Sequence, residues 1–337
     1  MRNALIPDTL LFNQEDIRRV MPMKDIVDIV DKTFADLGGG GTVNPTKLTL
    51  DLGEVNPYPP YDGFMNAMPA YIGWQDIAGL KWVGGFLGER RQAGLPYITS
   101  MILLIDPHLG NFIAAMDGAY ITNMRTGAQT AVALSYLTDK KSIRLGLYGA
   151  GMQGHTQTMA IAERFDIQEV HVYDVYRPAA EKYARDMQSL VSGKIHICDS
   201  PEEAAAGDAV ITVTQSKERF LKKEWLAPGT IFFPMGSYQE CENDALLGCD
   251  KIVVDHIGQA LHRGALKELN HMGVITEKNI TATIGDLAAG KATCILRPDE
   301  RILCIPIGTG AMDIAVASVV YDRLKAEEKI GRFRFVE

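Results

Sequence analysis

The sequence predicts an α/β fold of two domains: an N-terminal α+β sheet domain, and a second domain whose parallel sheet carries helices on both faces. Three observations lead there. Between residues 46 and 117 strand signals cluster, alternating in "TKLTLDL" and turning at "PHLGN". From "IRLGLYG" onward, short apolar runs alternate with helical stretches, the pattern of a parallel sheet with crossover helices. The chain, at 337 residues, is also long for one compact core and comfortable for two.

In chain order, Asn13 precedes "QEDI" and reads as a helix N-cap with acids in the first turn. Ile17, Val20, Ile26, Ile29, Val30 and Phe34 then recur at helical spacing, with a break expected at Pro22 and an end at "GGGG", 38–41. The strands "TKLTLDL", "IAGLKWVGGF", "TSMILLID" and "FIAAMD" follow as a mostly antiparallel sheet. Residues 120–137 form one long helix leading into the second domain. There the order is "IRLGLYG", "HTQTMAIAERF", "EVHVYD", "PAAEKYARDMQSLV", "AVITVT", "TIFFPMG" and "KIVVD". After "RILCIPIGTG" a final helix spans 311–326. The expected bounds are 1–125 for the first domain, 126–306 for the second, and 307–337 for a return to the first.

Charge and composition exclude several classes of function. A net charge of −8 does not suit a nucleic-acid surface, which needs a basic stripe. No apolar run approaches the roughly 20 residues of a membrane span. Proline and aspartate interrupt "MRNALIPDTLLF" before a signal-peptide core forms, so a cytoplasmic protein is expected. The five cysteines, scattered and without a C-x-x-C pair, suit reduced thiols. The seven histidines are equally dispersed, and no metal site is expected.

The stretch "LGLYGAGMQGHTQTMA" carries the strongest motif. Gly149, Gly151 and Gly154 follow an apolar strand and precede a helix. Gly149 permits the tight turn, Gly151 lets a pyrophosphate approach the backbone, and Gly154 lets helix and strand pack closely. Asp174 closes the next strand about 20 residues on, where an acid binds a ribose hydroxyl. Strand, glycines, helix and acid together read as a Rossmann-like dinucleotide floor. A carboxylate at 174 repels a 2′-phosphate, which favours NAD; Arg177 beside it softens that preference and keeps NADP possible.

Substrate groups must come from elsewhere. Lys81 lies between Leu80 and Trp82 in an apolar run. Buried, it would have a pKa lowered into a useful acid–base range; on spacing alone, the exposed face of its strand is at least as well supported. Arg125 is the one arginine of a nearly uncharged helix, placed either to bind a carboxylate or to cap the domain boundary.

The series "PTKLTLDL", "NAMPAYI", "GLKWVGGF…GLP", "NMRTGAQTAVALSYL", "YGAGMQG", "VHVYD" and "GTGAMDIAVASVVYDRL" resembles the ornithine cyclodeaminase/mu-crystallin family over nearly the whole chain. The resemblance implies a homodimer built through the N-terminal sheet and the C-terminal helix, with the nicotinamide between the two domains. It implies Lys81 as the catalytic lysine, which also contacts the substrate carboxylate, and Arg125 touching both cofactor phosphate and that carboxylate. Thr126, Met152 and Gln153 would meet the cofactor phosphates. Thr214 and the run 231–234, ending in Pro234, would line the nicotinamide, and Ile307 would lie beside the substrate.

Three positions depart from the family. Its first-strand arginine is Lys47 here, which keeps the charge and loses the fork. The aspartate of the cyclodeaminases is Ser237 in "MGSYQEC", and the lysine of that motif falls near Cys241. A serine expected near the C-terminal glycines is Pro306. Without the aspartate, cyclodeamination lacks its base, so the sequence favours an NAD(P)-dependent imine reductase or amino-acid dehydrogenase with a small amino-acid or imino-acid substrate. Ornithine cyclodeamination using Glu240 or Glu242, and a non-catalytic nucleotide-binding protein, stay open as alternatives.

Overall fold

The computed structural model describes residues 7–53, 61–236 and 239–335. The chain opens with β1 (Thr9–Phe12), α1 (Gln14–Val20) and α2 (Met23–Gly39). Asn13 caps α1 as expected, accepting from the N–H of Glu15 and Asp16 while Asp16 accepts from the N–H of Asn13 in return. Pro22 separates the two helices, and Gly40, at φ 87°, ends the second. Next come β2 (Leu48–Asp51), β3 (Gly63–Ile72), β4 (Ile77–Phe86), α3 (Gly88–Gln92), β5 (Ile98–Ile105), β6 (Phe112–Asp117) and the long α4 (Ala119–Leu137).

The parallel sheet begins with β7 (Ser142–Tyr148), α5 (Met152–Ala162), β8 (Asp166–Tyr173), α6 (Arg177–Met187), β9 (Val191–Ile197), β10 (Ala209–Thr212) and β11 (Thr230–Pro234). It continues through α7 (Asn243–Leu247), β12 (Lys251–Val254), α8 (Ile257–His262), α9 (Lys267–His271), β13 (Ala282–Thr283), α10 (Ile284–Ala288) and β14 (Arg301–Ile305). The chain closes with α11 (Gly310–Leu324) and β15 (Gly331–Phe333).

Two compact units result: one holds the residues up to Arg125 together with those from Thr309 on, the other Thr126–Gly308. The return therefore starts at Thr309 rather than at 307, because Ile305–Gly308 remain tied to the second unit: Ile307 N–H donates to Ile305 O and Gly308 N–H to Asp255 Oδ2.

The first unit is built on a seven-stranded sheet in the order β15-β1-β6-β5-β4-β3-β2. The β2-to-β6 meander is antiparallel, whereas β1 pairs parallel with β6. The terminal strands β1 and β15, absent from the sequence reading, pair with each other. Helix α11 lies on this sheet against β3 and β4. Two glycines allow the approach: a Cβ at Gly310 would meet Met68 O at 2.6 Å, and one at Gly79 would meet Ile314 Cδ1 at 2.8 Å.

The second unit carries an eight-stranded sheet, β13-β12-β14-β11-β10-β7-β8-β9, parallel throughout. Strand β9 was missed because "VSGKIHI" mixes glycine, serine and lysine into a half-exposed edge. The chain runs outward from β7 to β8 and β9, then crosses back to β10. The turn after β7 thus stands where strand order reverses, the place where open parallel sheets bind ligands.

Candidate functional site

In the second unit, the turn after β7 is shaped for an anion. Gly149 has φ 99°, and a Cβ there would press on Val213 O. Gly154 packs α5 onto the strand, since a Cβ would meet Gly149 O at 2.4 Å. At Gly151, in contrast, a Cβ would meet nothing within 4 Å. That open glycine is the N-cap of α5 and gives the helix no side-chain cap, an arrangement that suits an anion. Met152 is exposed beside it and Gln153 partly so, whereas Thr126 sits partly buried on α4. Asp174 follows β8 and is fixed against the loop: Oδ2 accepts the Ala150 N–H at 2.8 Å and Oδ1 the Tyr176 N–H at 2.9 Å. These residues fit a dinucleotide.

Thr214 and Pro234 lie at the same ends of β10 and β11. The Thr214 side chain is held by Glu240: Glu240 Oε1 accepts the Thr214 N–H at 2.7 Å and also its hydroxyl, while Oε2 accepts the Thr212 hydroxyl at 2.8 Å. Glu240 is buried, and burial pushes its carboxyl above the ordinary range, against the pull of these hydrogen bonds. Its role is to tie the loop after β10. Glu242 caps α7 by position. Ile307 is half-buried against the core of this unit. Ser237 lies outside the described residues.

In the first unit, Lys81 lies on central β4, in register with Met68 and Ile102. Strand alternation turns it inward with Gly79 and Val83 and turns Trp82 out, so the exposed placement is overturned: Lys81 is 0% exposed and Trp82 54%. Above it stands a residue that the sequence reading missed. Asp313, in the first turn of α11 and fully buried, brings Oδ2 to 2.6 Å from Lys81 Nζ and Oδ1 to 3.0 Å from Arg125 Nε. The Thr122 hydroxyl donates to the same Oδ1 at 3.4 Å. The helix N-terminus favours a carboxylate there.

Burial pushes the Lys81 ammonium down to about 7; the Arg125 charge adds to this, Asp313 opposes it, and Lys47 acts with Arg125. Lys47, partly buried just ahead of β2, therefore belongs to the same electrostatic cluster. Beyond Asp313, no acceptor among the described residues serves the Lys81 ammonium, and the buried hydroxyl of Thr309, one turn before Asp313, is unpartnered among them. Such a cluster suits a small anionic ligand and leaves one amine able to give or take a proton near neutrality.

The chain is similar to known proteins over nearly its whole length. The chain is 32% identical to an alanine dehydrogenase of Archaeoglobus fulgidus over 333 residues, covering 97% of this chain and 99% of that one. Its fold matches a Thermococcus litoralis Δ1-pyrroline-2-carboxylate reductase solved with NADH and L-proline, at TM-score 0.88 and 28% identity, covering 96% and 99% of the two chains. An archaeal alanine dehydrogenase dimer with bound NAD matches at TM-score 0.88 and 32% identity, covering 98% and 100%. The model of the ornithine cyclodeaminase/mu-crystallin family matches residues 8–328. The chain belongs to the ornithine cyclodeaminase/mu-crystallin family.

Proposed function

We propose that Lys81 and Arg125 hold the carboxylate of a small amino or imino acid, with Lys47 assisting, and that Lys81 exchanges the proton at the substrate nitrogen. The chain is an NAD(P)-dependent oxidoreductase acting on amino or imino acids. The observation that carries the assignment of roles is the buried Lys81, ion-paired with Asp313 beside Arg125 and with its pKa brought to about 7. When bound, the nicotinamide gives or takes the hydride at the substrate α-carbon. Arg125 and Lys81 fix that carbon by its carboxylate. Lys81 takes the proton from the nitrogen in the oxidative direction and returns it in the reductive one. Asp313 holds both cations in place. The glycine turn and Asp174 hold the dinucleotide, and the acid favours NAD.

Cyclodeamination is not part of this reading. Glu240 is occupied by Thr212 and Thr214, so it offers no displaced base. NADH oxidation with pyruvate plus ammonia, cyclic ketimines and other 2-oxo acids identifies the substrate. Lys81→Ala should lower turnover on it by orders of magnitude with NADH binding retained. Equal turnover in variant and wild type removes the lysine from the reaction. Ornithine with catalytic NAD should yield no proline at a comparable rate.

The protein acts as a homodimer. Across β2, β3, β4 and β5, Leu48, Ala67, Trp82 and Met101 stand in register on the face opposite Lys81. Leu48, Trp82 and Met101 are each more than half exposed. An apolar row of this kind is a surface for a second copy. The five free cysteines suit a reducing compartment such as the cytoplasm. Among the described residues no helix is long and apolar enough to cross a membrane.

A further inference from the structure

Strand β9 forms one edge of the eight-stranded sheet, and its register with β8 sets His171 directly beside His196. Strand alternation places Glu169, two residues before His171, on the same partly exposed face. The two imidazoles stack with centroids 4.7 Å apart and 14° between their planes. Both Nε2 atoms approach one carboxylate: His171 at 3.5 Å from Oε2 of Glu169, His196 at 4.0 Å from Oε1. One ligand atom from each residue lies within 4.8 Å of the others. None of the three takes part in the dinucleotide floor or the Lys81 cluster.

We propose that Glu169, His171 and His196 form a binding site for a divalent transition ion of the zinc class. Two imidazoles and a carboxylate are the donors such ions prefer, whereas magnesium and calcium take oxygen alone. Tetrahedral coordination with bonds of about 2.0–2.1 Å puts donors ~3.3 Å apart. The three side chains, 43%, 22% and 36% exposed in the order named, have room to rotate through that difference. Water completes the shell. Arg144 and Lys194 flank Glu169 in register and weaken the site by repulsion, Arg144 less so because it turns to Asp208. The ion ties edge strand β9 to β8, three residues before Asp174. Sequence spacing conceals the site, since the histidines lie on different strands.

The test is titration of the full-length, chelator-treated protein with zinc chloride alone by calorimetry, and with cobalt(II) chloride by visible absorption. One equivalent per chain is expected, with a raised melting temperature. His171→Ala and His196→Ala should each weaken binding by about a hundredfold. Glu169→Gln, nearly isosteric and at a half-exposed position, should weaken it as well and carries the test if a histidine variant fails to fold. No binding by the wild type, or unchanged affinity in folded variants, overturns the proposal; the latter places the ion elsewhere.

Discussion

Asp313 Oδ2 lies 2.6 Å from Lys81 Nζ, both side chains fully buried, and its other oxygen reaches Arg125. One carboxylate thus compensates two interior cations. Asp313→Asn keeps the shape and removes the charge. Loss of the partner of a buried ion pair costs about 3–5 kcal/mol. Because Asp313 raises the Lys81 pKa against burial, the variant should also shift the pH profile of the remaining activity to lower pH. A purely structural aspartate would cost stability and leave the profile in place, so denaturant titration and pH–rate curves together decide.

The pH dependence of the wild type follows from Lys81 itself. Its pKa falls from the ordinary 10.5 to about 7. Below about 7 the lysine is charged and cannot accept a proton; above, it can. Oxidation of the amino acid should therefore gain kcat/KM as pH rises through about 7, and imine reduction should lose it. The folded chain releases this proton before the unfolded chain does, so between these values the unfolded state binds more protons. Stability then rises with pH by at most about 1.4 kcal/mol per unit from this group. Chemical denaturation of wild type and Lys81→Met at pH 7 and 9 measures that slope, which the variant should lack.

On the proposed reading, cofactor choice rests on Asp174. With its carboxylate fixed by two backbone N–H groups, it cannot swing away from a 2′-phosphate without breaking both. Fluorescence titration should show tighter binding of NADH than of NADPH, and Asp174→Ser should narrow the gap. Tighter NADPH binding by the wild type refutes the assignment.

Dimerisation is tested at Trp82. Trp82→Asp puts a charge in the centre of the exposed apolar row and leaves the buried side of β4 unchanged. Light scattering at micromolar concentration should give a dimer mass for the wild type and a monomer mass for the variant. A monomeric wild type refutes the proposal.

The legible parts of the sequence were those where chemistry is local. Gly149, Gly151, Gly154 and Asp174 lie within one strand–turn–helix–strand unit, so spacing alone singles them out. Lys81 drew notice as a charge in an apolar run, but its orientation depended on which face of β4 was covered. That cover, α11, comes from the far end of the chain. Asp313 escaped for the same reason, although one acid in the apolar stretch "GAMDIAVASVV" was the available signal. Glu240 looked like a candidate base until Thr212 and Thr214 were seen to occupy it. His171 and His196 meet through strand register, which dispersed histidines in a sequence do not announce.

The placement of Asp313 has a consequence for biosynthesis. Arg125 and Asp313 are 188 residues apart, with the whole second unit between them. On the ribosome the second unit is contiguous and can close as soon as it emerges. The first cannot: its sheet waits with Lys81 lacking its counter-charge until α11 has been translated. A nascent chain stopped short of α11 would leave the apolar inner face of β3 and β4 open to water, a surface for chaperones or proteases. Synthesis of α11 is therefore the event that finishes the first unit and brings Asp313 to Lys81.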